Sequence, residues 1–135
     1  MSTPAAAVNH GPVNHGPYWA AQTAYWAALD QLVQTCEVVI DRPRASAHPR
    51  YADLIYPLDY GYLAGTTTTD GGGIDVWFGS LPTRNLTGLI LTVDLHKRDA
   101  EIKLLLACTP AEAQLALDFH TTNAQAPRLL LREMS

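Results

Sequence analysis

Between Leu86 and Ala107 the chain is committed to a β-hairpin. Leu89, Leu91, Val93 and Leu95 alternate with Ile90, Thr92 and Asp94, the two-residue period of a strand. Glu101 to Ala107 reads as a second strand, and His96-Lys97-Arg98 is the polar connection between them. A hairpin this apolar must be covered. With 47% hydrophobic and 16% charged residues the chain has the material to do so, and its 135 residues amount to one domain with a real core.

Other elements group around the hairpin. Glu37-Val38-Val39-Ile40-Asp41 reads as a strand, and Pro43 and Pro49 bracket a turn-rich stretch. Asp53 to Tyr56 is a short extended piece, Ile74 to Gly79 a strand, and Leu129 to Leu131 a short closing strand. Thr109-Pro110-Ala111-Glu112 carries three agreeing helix-start signals: a cap, a first-turn proline and a capping-box acid. That helix is expected to run to about His120. Another helix should start at Pro17, where a proline's missing N–H costs nothing. On it, Tyr18, Tyr25, Leu29, Leu32 and Cys36 make one face, and Trp19, Trp26 and Val33 a neighbouring stripe. An apolar arc that wide packs on the body or forms a subunit interface, so a homo-oligomer is expected. The class is α+β, mainly β, and several short strands with a helix at each end suggest a small barrel.

Residues 1–17 read as a flexible tail and 18–135 as a single domain. In the tail, Val8-Asn9-His10-Gly11-Pro12 repeats as Val13-Asn14-His15-Gly16-Pro17, too rich in Gly and Pro for regular structure. His10 and His15 are either solvated or metal ligands. The start lacks a basic and apolar leader, and no apolar run reaches the roughly 18 residues of a membrane span. A cytoplasmic location and no membrane partner are therefore expected. Cys36 and Cys108 read as buried reduced thiols. A net charge of -4 without a basic run argues against nucleic acid, but not against a small polyphosphate.

The chemistry concentrates between Tyr56 and Asp75. Asp70 opens the run Gly71-Gly72-Gly73, and Asp75 follows it. Two carboxylates five residues apart across a glycine bend can converge, and converging carboxylates repel unless a cation sits between them. A hard cation such as Mg²⁺ or Ca²⁺ would relieve that repulsion; the competing reading is a glycine turn with one capping Asp. Asp94 and Asp99 flank the hairpin turn, also five apart, and Lys103 shares a strand face with Asp99. Taken alone, Asp94 and Asp99 read as turn residues.

The string Tyr56-Pro57-Leu58-Asp59-Tyr60-Gly61-Tyr62, followed by Gly65-Thr66 and by Asp70-Gly71-x-x-x-Asp75-Val76, resembles the soluble (family I) inorganic pyrophosphatases. The resemblance spans about Val38 to Lys103, with Ile40-Asp41-Arg42-Pro43 as its upstream edge. It implies an OB-like five-stranded β-barrel with an N-terminal and a C-terminal helix packed on it. It also implies Mg²⁺-dependent hydrolysis of pyrophosphate to two phosphates. Carried over by position, Asp70, Asp75, Asp94 and Asp99 match metal-binding aspartates, and Asp41 matches an active-site acid, so that Asp70, Asp75 and Asp41 become the catalytic candidates. Tyr60, Arg50 and Lys103 match phosphate-binding positions. Arg42 and Arg44 are further cations for a leaving phosphate, since phosphoryl transfer needs mainly positioning and charge neutralisation.

Departures from the family pattern are specific. Gly72 stands where the family has an aspartate that helps activate water, and Ala52 stands where it has a second upstream acid, with Asp53 beside it. The hairpin before Tyr56 is short, and Phe119-His120 lies nearest the place of a Tyr-Lys pair. A metal-bound hydroxide next to Asp70 or Asp75 would then have to suffice, or Asp53 or His48 would serve as base. Two alternatives accompany pyrophosphate hydrolysis: cleavage of another phosphoanhydride such as a nucleotide, or a weakened domain that binds metal and phosphate without turnover. Trp77 reads as packed, His96 as solvated, His48 as either loop filler or site residue, and His120 as a side chain favouring a negative helix end.

Overall fold

The computed structural model describes residues 17–123 and 125–133; the His10 and His15 repeat lies outside them. Helix α1 (Pro17–Thr35) leads into β1 (Val38–Arg42), β2 (Asp59–Leu63), β3 (Asp75–Phe78), the hairpin β4 (Leu86–Asp94) and β5 (Asp99–Leu106), helix α2 (Pro110–Thr122) and β6 (Ala126–Leu131). The strands form one six-stranded sheet in the order β1-β2-β3-β5-β4-β6. All neighbours are antiparallel except β3 and β5.

The expected five-stranded closed barrel is corrected to an open six-stranded sheet. Strands β1 and β6 lie at opposite edges, and no pairing among the described residues joins them. The reason is visible in β5, whose successive residues feed two cores. Leu104 and Leu106 are buried with Leu63, Val76, Leu86, Leu89 and the α1 residues Leu29 and Val33. Leu105 is buried with Trp77, Ile90 and the α2 residues Ala113, Ala116 and Phe119. A closed barrel has one interior; a sheet with a helix-bearing core on each face has two. The sixth strand is β2, whose Asp59-Tyr60-Gly61-Tyr62 lacks an apolar alternation and takes its strand form from pairing with β1 and β3.

Both helices are held where the sequence places them. Thr109 caps α2: its side chain accepts from the Glu112 N–H, while Glu112 Oε1 accepts from the Thr109 N–H at 2.9 Å. Glu112 also accepts from the Ser80 N–H, tying the β3–β4 loop to the helix start. On α1 the buried side is Leu29 and Val33, with Trp26, Leu32 and Cys36 half-covered, whereas Tyr25 faces outward. Arg132 donates to both carboxylate oxygens of Asp30 at 2.6 and 2.8 Å and lies over the Trp26 ring. Arg84 donates to the carbonyls of Val33 and Cys36, satisfying the end of α1. Cys108 is buried as expected, but Cys36 is only half-buried; both are free thiols. No described helix is long and apolar enough to cross a membrane.

Candidate functional site

Sheet register decides which polar side chains meet. Tyr60 lies opposite Trp77, Tyr62 opposite Asp75, Asp75 opposite Lys103, and Asp94 opposite Asp99. The period of two then puts Tyr60, Asp75, Trp77, Asp99, Glu101, Lys103, Thr92 and Asp94 on the α2 side of the sheet. Helix α2 covers only part of that side, through Phe119, Ala116 and Ala113 on Trp77, Ile90 and Leu105. The remainder is polar.

At the centre of that polar region is Lys103, only 5% exposed. Its ammonium donates to Asp75 Oδ2 at 2.8 Å and to Glu101 Oε1 at 2.6 Å. Burial alone pushes an ammonium down, but the Asp75 and Glu101 carboxylates it donates to outweigh it, so Lys103 stays charged with its pKa raised. Burial pushes the Tyr60 phenol far up, so it stays neutral beside the pair. Next to it runs a buried chain of hydrogen bonds. Trp77 Nε1–H donates to His120 Nε2 at 3.0 Å, and His120 Nδ1 lies 2.7 Å from Gln125 Oε1. Indole N–H can only donate, so His120 Nε2 must accept, and the neutral ring carries its proton on Nδ1 for Gln125. Burial pushes the His120 pKa down to about 4, keeping the ring neutral.

Gln125 opens onto a cleft of about 790 Å³. Arg42, Arg50 and Lys97 line it, with His48, His96, Tyr51, Asn123 and, among the described residues, a single carboxylate, Asp94. Three fixed cations against one anion make this cleft positive in a chain whose net charge is -4. His48, which lines it, is joined to an aromatic stack: the Tyr56 ring lies 6.1 Å from His48, 5.4 Å from Tyr60 and 4.6 Å from Phe119. Arg42 Nη1 donates to the Tyr56 hydroxyl at 3.3 Å, which aims the guanidinium. His48 Nδ1 accepts from the N–H groups of Arg50 and Tyr51. Burial, and then Arg42, Arg50 and Lys97, hold His48 below its ordinary pKa. A neutral His48 whose Nδ1 is occupied as an acceptor carries its proton on Nε2. It can donate to an anion, and it has no nitrogen free to act as base.

The expected site residues divide into groups. Arg42, Arg50 and Asp94 line the cleft. Tyr60, Lys103 and Asp75 do not line it; Lys103 is buried, with half-buried Tyr60 and Asp75 against it. Asp70 and Asp75 do share a concavity, of about 400 Å³, with Tyr62, Thr68, Gly72 and Gly73. Asp70 Oδ1 accepts from the Thr68 hydroxyl and the Gly72 N–H, which hold its pKa down. Asp94 Oδ1 accepts from the N–H groups of Lys97 and His96 at 2.9 and 3.0 Å, and so closes the hairpin turn. Asp99 stands across that turn from Asp94. Asp41 is exposed at the β1 bulge and Arg44 is exposed with its N–H on Asp59 Oδ1; neither lines the cleft.

The anticipated four-aspartate cradle for Mg²⁺ is not assembled. Among the described residues no three His, Cys, Asp or Glu side chains are grouped so as to hold a metal ion. Asp70 and Asp94 accept within their own turns, and Asp75 accepts from Lys103. The donor set does not fit a resident divalent ion. Lys97, Asn123 and Gln125 were not legible as site residues, and His96, expected to be merely solvated, lines the cleft. The basic triplet His96-Lys97-Arg98 was the one available signal.

Comparison with protein-family models and with curated proteins returns no match. Among solved structures the chain is similar to an inorganic pyrophosphatase from Coxiella burnetii, with a TM-score of 0.48 and 11% identity, over 71% of this chain and 84% of that one. A likeness at that level decides neither fold family nor activity.

Proposed function

We propose that the cleft binds a small phosphoanhydride, pyrophosphate being the smallest that fits the description, and that the domain hydrolyses it slowly. The observation that carries the reading is the cleft itself: Arg42, Arg50 and Lys97 around one carboxylate, with a neutral His48 offering a further N–H. Guanidinium groups suit the bidentate geometry of phosphate oxygens. Fixed cations aimed at a leaving phosphate stabilise charge as it develops. The motif around Tyr56 to Val76 supports the choice of phosphoanhydride over other anions.

Slow turnover follows from the acids and bases present. Gly72 offers no carboxylate, His48 no free nitrogen, and Asp75 is neutralised by Lys103. Asp94 is the one acid in the cleft, and its pKa is held low by the turn N–H groups, which makes it a weak base.

Isothermal titration of the protein with pyrophosphate, phosphate and sulfate tests the binding. Pyrophosphate should bind at micromolar concentration and more tightly than either single-centre oxyanion. Arg42→Ala or Arg50→Ala should each weaken it by about tenfold, the value of one charge-assisted contact. Phosphate release, followed with and without Mg²⁺, measures turnover. Pyrophosphate affinity indifferent to both arginine substitutions would remove the cleft from the account.

A further inference from the structure

We propose that Lys103 supplies from within the protein the positive charge that a divalent cation would bring to these carboxylates, so that the cleft takes its phosphate ligand without metal. The proposal rests on the anion-binding reading above for its second half only. Its first half concerns the network itself.

Geometry carries it. Lys103 and Asp75 are direct partners in the parallel pairing of β5 with β3, so backbone register brings them together. Glu101, two residues before Lys103, lies on the same face by the strand period. The ammonium reaches both carboxylates at 2.8 and 2.6 Å, and the Tyr60 phenol packs beside the pair. Two carboxylates this close to a common point would repel each other without a cation. The cation is present, covalently attached, and almost entirely buried. A divalent ion seeking Asp75 Oδ2 would have to displace an ammonium that the sheet holds in place. Two of the other expected ligands are engaged within their own turns through Oδ1: Asp70 by Thr68 and Gly72, Asp94 by two backbone N–H groups. The three cations that line the cleft then do for the phosphate what metal ions would otherwise do.

Two measurements on the intact protein test this. In the first, Mn²⁺ is titrated into protein without phosphate, and free Mn²⁺ is read by electron paramagnetic resonance. Wild-type protein should show no binding below millimolar Mn²⁺. Lys103→Met and Lys103→Gln leave Asp75 and Glu101 facing an empty point and should gain Mn²⁺ affinity by at least tenfold. Micromolar Mn²⁺ binding by wild-type protein overturns the proposal, and this arm does not depend on the variants folding. In the second, pyrophosphate is titrated calorimetrically in EDTA. Binding should persist undiminished; binding abolished by EDTA and restored by Mg²⁺ overturns the proposal. Absence of pyrophosphate binding in both buffers instead defeats the anion-binding reading, and the Mn²⁺ titration still decides the role of Lys103.

Discussion

His120 should make this fold acid-sensitive well above the range where carboxylates titrate. Its ring is 3% exposed and must accept from Trp77 Nε1–H, so the folded state disfavours the imidazolium and its pKa falls to about 4. In the unfolded chain the same group titrates near 6.5. Above that value both states hold a neutral ring and the full stability is present. As pH falls below it the unfolded state binds the proton first, and stability drops until the folded state titrates too, near pH 4. Linkage gives a loss of about 2 kcal/mol at pH 5 and about 3 kcal/mol at pH 4. Urea unfolding followed by tryptophan fluorescence at pH 7.5 and pH 5 measures it. His120→Gln is the control: its amide oxygen can accept from Trp77 and its amide N–H can donate to Gln125, but it does not titrate. The variant should lose about 2 kcal/mol less than wild-type protein between the two pH values. Equal losses in the two proteins would show that His120 is not held neutral by burial, and the order of the Trp77–His120–Gln125 chain would fall with it.

Three further outcomes follow from local geometry. A Cβ on Gly61 would lie 1.7 Å from the Val39 carbonyl oxygen, so Gly61→Ala should cost at least about 3 kcal/mol or prevent folding, read by the same unfolding assay. A Cβ on Gly72 would meet only Asp70 Oδ1, at 3.4 Å. Gly72→Asp should therefore fold normally, with a thermal midpoint within a few degrees of wild type, and add a second carboxylate next to Asp70; raised phosphate release in Mg²⁺ would show that the missing carboxylate limits turnover. Thr109→Ala removes the acceptor for the Glu112 N–H and half of the capping box, and should cost about 1 kcal/mol by urea unfolding.

Legibility followed the range of the interactions involved. The β4–β5 hairpin and the α2 start are local, and their periodicity and capping chemistry stand in the structure as the sequence has them. Strand β2 is not local: a segment with Asp, Gly and two Tyr becomes a strand because β1 and β3 flank it. The same holds for openness of the sheet. Alternation in β4 and β5 marks two faces but does not say that each face meets a different helix. Among the residues lining the cleft, Arg42 and Arg50 stand on the motif's upstream flank. Lys97, Asn123 and Gln125 come from the hairpin turn and from the segment after α2, and only the fold brings those to the Arg50 loop.

In the segment Tyr56 to Asp75 most of the motif residues have roles within the fold itself. Tyr56 is buried in the stack with Phe119 and Tyr60, and its hydroxyl accepts from Arg42. Gly61 is required because β1 passes against it. Gly71 is required by its left-handed backbone, with φ of 90°. Each of these residues has a structural reason to be where it is that involves no ligand. Asp75 differs: its partner is Lys103, delivered by β5 from outside the motif. The motif therefore specifies a frame, and a lysine in a neighbouring strand decides whether that frame presents a free carboxylate or a neutralised one. The carboxylate that this frame presents at Asp75 is therefore one already paired to a buried ammonium.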